Sequence, residues 1–177
     1  MNKKATSMLM KAIIGLILAV LIAFVHLYLG SIFLVSGGSM LSALESGNIV
    51  WVNKLAYLRA LPSRGDIVVL KYPGDPDSRK FVKRIIGLPG EMVEIKNSDV
   101  YINKTRLTEA YLDENVVTEP DLKLVLKPNE YYTVGDNRTN SSDSRGFGPT
   151  AQRFLIGRVK LRLWPVKSFG YFPETFY

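Results

Sequence analysis

A chain without cysteine has no thiolate chemistry, so a base and a hydroxyl are the groups to look for. The stretch Phe81–Glu91, FVKRIIGLPGE, sets two cations, Lys83 and Arg84, among Phe81, Val82, Ile85 and Ile86. That many β-branched and aromatic residues favour a strand, and Leu88-Pro89-Gly90 ends it with turn chemistry. Side chains alternate across a strand, so Lys83 and Arg84 point to opposite faces. One of them must face inward or toward a neighbouring loop. An amine held there loses hydration and its pKa falls, which suits a general base near neutral pH. The competing reading is an edge strand whose Lys83 snorkels into water. A hydroxyl is offered by Ser36-Gly37-Gly38-Ser39-Met40. Two adjacent glycines permit unusual backbone angles and a close approach by another chain, displaying Ser39 on a turn with its amide free to face a ligand. Ordinary Gly/Ser linkers have the same composition. A third stretch, Gly135–Gly148 (GDNRTNSSDSRGFG), is dense in small polar residues. Such a loop satisfies its own backbone and carries hydroxyls able to hold an amine, with Asp143 and Arg145 placed to pair. A plain structural turn is the alternative.

These groups need a frame. Ile49–Asn53 alternates loosely as a short strand. The turn Pro62–Gly65 leads into a strand over Asp66–Tyr72, a polar loop follows at Pro73–Ser78, and then comes the strand Phe81–Leu88. Glu91–Ile95 and Val100–Asn103 flank Lys96–Asp99 and read as a hairpin. Leu122–Leu126 and Tyr131–Val134 are strands separated by a turn around Pro128-Asn129. Ile156–Leu163 is the last strand. Thr105–Pro120 has no clear period, carries several acids and reads as an exposed excursion. The aromatic tail after Trp164-Pro165 lies either on the body or at a lipid interface. Six to eight short strands with little helix predict a mainly β protein, a compact antiparallel sheet domain. No internal repeat and no low-complexity segment is present.

Ahead of that domain, Ala12 to about Val35 is almost unbroken in apolar character. At roughly 20 residues per crossing this is long enough for one transmembrane helix. Tyr28 would anchor it at an interface, and His26 is a neutral passenger without a partner for proton relay. The run exceeds the roughly 7–15 apolar residues of a cleaved signal peptide, and its length counts against a buried hairpin helix. Lys3, Lys4 and Lys11 precede it and no acid occurs before Glu45, which favours a cytoplasmic amino terminus. The predicted organisation is a cytoplasmic segment over 1–11, an anchor over 12–35 and an extracytoplasmic catalytic domain over 36–177. Absence of cysteine suits an oxidising compartment. The formal charge of +7 owes three units to those lysines. The mild excess left does not call for nucleic acid, and attraction to an anionic membrane surface explains it equally well.

Taken together, Ser39-Met40, Lys83-Arg84 and Gly135–Gly148 resemble three boxes of the bacterial type I signal peptidases. These are membrane-anchored serine proteases with a Ser–Lys dyad. Gly65-Asp66 followed by Ile67-Val68-Val69 resembles a fourth, structural box, and the likeness runs from the anchor to about Pro165. The short amino terminus and single span are similar to the Gram-positive members. The resemblance implies Ser39 as nucleophile and Lys83 as general base. It implies Ser141 as the hydroxyl that orients the lysine, Asp143 and Arg145 as a supporting pair, and the Ser39 backbone amide as oxyanion donor. It implies exported preproteins as substrates, bound extended beside Phe81–Leu88, with Met40 and Val82 in the pocket nearest the cut. Neither a metal nor an organic cofactor is implied, the lipid bilayer is the meeting surface, and no accessory protein is identified. Two positions depart from the pattern. Members usually carry Pro-Thr where this chain has Ser42-Ala43, and some carry a serine at Gly37 whose hydroxyl completes the oxyanion hole. Three other readings stand beside a general signal peptidase. They are a dedicated processor of pilus or secretion-system subunits, an inactive membrane-anchored peptide-binding protein, and a soluble self-cleaving repressor. The last would lack the anchor and carry a DNA-binding domain, and no helix-turn-helix pattern is present.

Overall fold

The computed structural model describes residues 3–24, 29–58, 60–113 and 116–172. The chain opens with helix α1, Lys3–Phe24. Then follow β1 (Gly30–Leu34), β2 (Ile49–Asn53), β3 (Ile67–Lys71), β4 (Lys80–Gly87), β5 (Met92–Lys96), β6 (Asp99–Ile102), β7 (Thr105–Arg106), β8 (Leu122–Val125) and β9 (Glu130–Val134). A one-turn helix α2 (Ser144–Phe147), β10 (Thr150–Ala151), β11 (Leu155–Trp164) and β12 (Gly170–Tyr171) complete the order.

All strand pairs are antiparallel. The larger sheet runs β1-β2-β11-β3-β4-β9-β10, with β12 added to β11, and the smaller runs β7-β6-β5-β8. Register shifts along β11 against β2 and β3 sharpen the local twist, and the larger sheet curls into a half-barrel. Alternation explains most of the core. Val50 and Val52 point inward from β2, as do Val93 and Ile95 from β5. β3 is buried on both faces over Ile67–Leu70, which is why it reads as an unbroken apolar run. Val35, Met40, Leu44, Val50, Val52, Ile67, Val69 and Val159 form one apolar cluster. A second lies between the end of β4 and the smaller sheet, built on Ile86, Val93, Ile95, Leu126 and Tyr132.

The mainly β, antiparallel architecture is as predicted, and the predicted strands all occur within a residue or two of their expected ends. The anchor limits are not as predicted. The apolar run 12–35 is two elements: a helix ending at Phe24 and, from Gly30, a strand in register with β2 from Gly30↔Asn53 to Leu34↔Ile49. Apolarity alone does not separate a helix from a short β-rich run that follows it. Within α1, Thr6–Phe24, 19 residues, is long and apolar enough to cross a membrane. Its apolar side chains, among them Ile17 and Leu21, are exposed along its length. That does not fit a buried hairpin helix and fits single-pass anchoring. Tyr28 and His26 lie outside the described residues.

Thr105–Pro120 is exposed over most of its described residues, as expected, but it is also tied to the body. β7 extends the smaller sheet, Thr118 is buried, and the Glu109 carboxylate pairs with the buried Arg138. Beyond β7 the described residues are held by side-chain pairs rather than by a ladder, so they carry no period. At the other end, β12 pairs with β11 and Phe172 packs on the first cluster, placing that part of the aromatic tail on the body.

Candidate active site

The serine turn follows β1. Gly37 has φ 87°, a left-handed angle that a side chain disfavours. Three residues on, Met40 is buried in the core and its carbonyl accepts from the amides of Ala43 and Leu44 at 3.0 and 2.7 Å. Anchoring Met40 leaves Ser39 at the lip of a cleft of about 460 Å³, with Ser36, Gly37 and Gly38 on one wall and Val82 and Lys83 on the other. Ser42 has φ 88°, which proline, locked near about −65°, cannot adopt. The departure at Ser42 is therefore matched by the backbone it occupies.

The opposite wall is β4. Its alternation sends Lys83 and Arg84 apart, and both are buried. Lys83 is 2 % exposed, and its Nζ donates to Ser39 Oγ at 2.7 Å. Burial takes the Lys83 pKa from 10.5 down to about 8. Asp143 and Asp136 pull it up and Arg145 pushes it down, but these are smaller influences. Arg84 faces the other way. Its Nε and NH2 donate to the two Asp136 carboxylate oxygens at 2.8 and 2.7 Å, and its NH1 donates to Gly65 O at 3.1 Å. Its guanidinium stacks 3.9 Å from the centre of the Tyr111 ring. One strand thus supplies the amine with one face and ties down the polar loop with the other.

That loop leaves β9 at Gly135. A side chain there would bring Cβ within 2.4 Å of Ser39 O and 2.3 Å of Ser141 Oγ, so glycine lets the loop close on the serine turn. Asp143 caps α2 and accepts from the Gly135 amide at 3.0 Å. Arg145 donates to both Asp143 oxygens at 2.8 Å and to Glu119 O at 2.9 Å. Burial works against the Asp143 carboxylate, but Arg145, the Gly135 amide and the neighbouring Ser141 hydroxyl outweigh it and hold its pKa below the usual range.

The predicted residues therefore converge. Ser39 and Lys83 touch, Asp143 and Arg145 pair, and Met40 and Val82 both line the cleft. Ser141 does not take its expected place. Its Oγ is buried beside Asp143 without a hydrogen bond of normal geometry, and none reaches Lys83. Three contributors were not singled out. Arg138, its side chain fully buried, donates to Gly135 O at 3.1 Å, Glu109 Oε2 at 3.0 Å and Thr118 Oγ1 at 2.9 Å. Asn137 reaches back to the serine turn through Gly38 O at 3.0 Å. Arg138 and Asn137 stand in a polar loop with no period, and Glu109 in a segment with none. Their only signal was membership of the 135–148 loop or the acidity of the excursion.

An antiparallel β domain that sets a hydroxyl against a buried amine, behind an apolar helix, is the architecture of a membrane-anchored serine hydrolase. Residues 7–164 match the family described as signal peptidase, peptidase S26, and the chain belongs to that family. A signal peptidase I of Bacillus amyloliquefaciens is 39 % identical over 162 residues, 85 % of this chain and 83 % of its own. One from Bacillus caldolyticus is 35 % identical over 163 residues, 85 % of this chain and 88 % of its own. A crystal structure of a signal peptidase I from Enterococcus faecalis is 32 % identical, with a TM-score of 0.49, covering 56 % of this chain and 97 % of its own. The chain is accordingly a hydrolase, a serine endopeptidase of the Ser–Lys type. The readings as a pilus-subunit processor or an inactive binding protein gain no support from these matches.

Proposed function

We propose that Ser39 and Lys83 are the dyad with which this endopeptidase removes signal peptides from exported preproteins. The observation that carries the assignment is the 2.7 Å contact between Ser39 Oγ and a Lys83 amine that is 2 % exposed. Unprotonated Lys83 takes the proton from Ser39 Oγ as it attacks the scissile carbonyl carbon. The carbonyl oxygen becomes an anion facing the Ser39 N–H, where a fixed donor lowers the barrier. Collapse breaks the C–N bond, and the Lys83 ammonium gives its proton to the leaving amine. A water, deprotonated by the same amine, then releases the acyl group and restores both side chains.

The frame supports an extended substrate. β9 pairs with β4 only at Arg84, Ile85 and Gly87, so the Lys80–Lys83 half of β4 borders the cleft. A peptide laid along it can add backbone hydrogen bonds in the manner of an extra strand. Met40, Val69 and Val82 offer an apolar floor suited to a small side chain next to the cut. Ser141 and the Asp143–Arg145 pair act as supports of the loop. Lys3, Lys4 and Lys11 favour a cytoplasmic amino terminus, with the catalytic domain on the opposite side of the membrane.

The test compares the intact protein with Ser39→Ala and Lys83→Ala in detergent, on a preprotein carrying Ala at the first and third positions before the cut. Both substitutions are expected to remove cleavage, on the order of 10³-fold or more. Cleavage by either variant at the parent rate would sink the dyad.

A further inference from the structure

Asn137 differs from the charged residues of its loop because both its backbone and its side chain cross to the serine turn. Its N–H donates to Ser39 O at 3.1 Å and its Nδ2 to Gly38 O at 3.0 Å. A carbonyl can only accept, so nitrogen must be the side-chain atom facing Gly38. Thr139 Oγ1 donates to Asn137 Oδ1 at 3.1 Å and braces the amide in that sense. The Leu41 N–H also donates to Gly38 O, at 3.2 Å.

The Gly38 carbonyl and the Ser39 N–H belong to one planar peptide and point in opposite directions. Holding the oxygen with two donors fixes the plane and aims the N–H the other way. Donation into Gly38 O also polarises the peptide and strengthens Ser39 N–H as a donor. That N–H is the oxyanion donor of the mechanism above, and Gly37 has no hydroxyl to share the task.

We propose that Asn137 is a positioning residue for the reaction, holding the Gly38–Ser39 peptide so that the Ser39 N–H meets the developing oxyanion. The inference rests on Ser39 being the nucleophile. It acts through the serine turn and touches no reacting atom.

The test uses the full chain in detergent, as parent, Asn137→Ala, Asn137→Asp and Ser39→Ala. The probe is a peptide aldehyde with Ala at both small-residue positions, compared with the corresponding primary alcohol. Ser39 Oγ bonds to the aldehyde carbon, its proton passes to Lys83, and the aldehyde oxygen becomes the anion that the N–H must meet. The alcohol forms no such adduct. Asn137→Ala is expected to lower kcat roughly 10- to 100-fold, a part of the effect of losing an oxyanion donor. KM should stay within about threefold, because the lost contact matters in the transition state. Aldehyde affinity should fall by the same factor as kcat/KM, and alcohol affinity should not change. Asn137→Asp keeps the size and the backbone bond but sets a carboxylate against the carbonyl, so its loss should be at least as large. It decides the matter alone should the alanine variant not fold. A kcat within twofold of the parent, or equal losses of aldehyde and alcohol, would overturn the positioning role. An active Ser39→Ala would instead overturn the dyad, and this inference with it.

Discussion

With Lys83 as the proposed base, its amine sets the pH dependence of cleavage. Its pKa of about 8 follows mainly from burial, so the sign is fixed. Protonated below that value it cannot accept a proton, and above it the free base is available. Roughly one molecule in ten holds the free base at pH 7, against roughly one in 3,000 for a lysine left at 10.5. In this family member kcat/KM should therefore rise close to tenfold per unit below pH 8 and level off above it. Initial rates on a soluble peptide between pH 6 and 10 would check this, and a flat profile through pH 8 would remove Lys83 as the base. The residue was legible because alternation forces one of two neighbouring cations inward whatever surrounds it. Ser141 was not. Its expected contact depends on a hydroxyl rotor in an irregular loop, and the chain turns it toward Asp143.

Between the residue and the whole stand the elements that hold the serine turn and the polar loop together. The described residues of 107–119 strap the back of that loop through Glu109, Tyr111, Thr118 and Glu119 O. Glu109→Ala leaves the buried Arg138 without its counter-charge, and breaking such a pair costs about 3–5 kcal/mol. Urea unfolding should show a loss of that order, and activity at low temperature should fall less than stability does. A loss below about 1 kcal/mol would return the segment to an ornamental loop. β2 to β6, β8, β9 and β11 were readable because each buries one face or both and ends in Gly, Pro or Asn. β1 was hidden inside the apolar run, and β7, β10 and β12 are two residues each, too short for any period. The strap escaped because salt bridges and ring stacking leave no repeating trace.

At the scale of the molecule, α1 and the β domain have different solvents. The apolar side chains of α1 are exposed, and none belongs to the clusters of the β domain. The domain should therefore fold without it. Removing residues 1–28 should leave cleavage of a soluble peptide within a few-fold of the parent. Cleavage of a preprotein embedded in vesicles should fall roughly 100-fold, because co-anchoring raises the effective concentration of substrate. Equal rates on vesicles with and without α1 would show that the anchor does not deliver the enzyme to its substrate. The two cations of β4 have one more consequence at this scale. A molecule that paired β4 one residue out of step would turn every side chain to the wrong face. Slipped one way, Arg84 would take the place of Lys83 and Ile85 would face Asp136; slipped the other, Lys83 would face Asp136 and Val82 would face the Ser39 hydroxyl. Such an isomer would be inert and unstable together, so the stock of well-folded copies cannot harbour a sturdy but dead form.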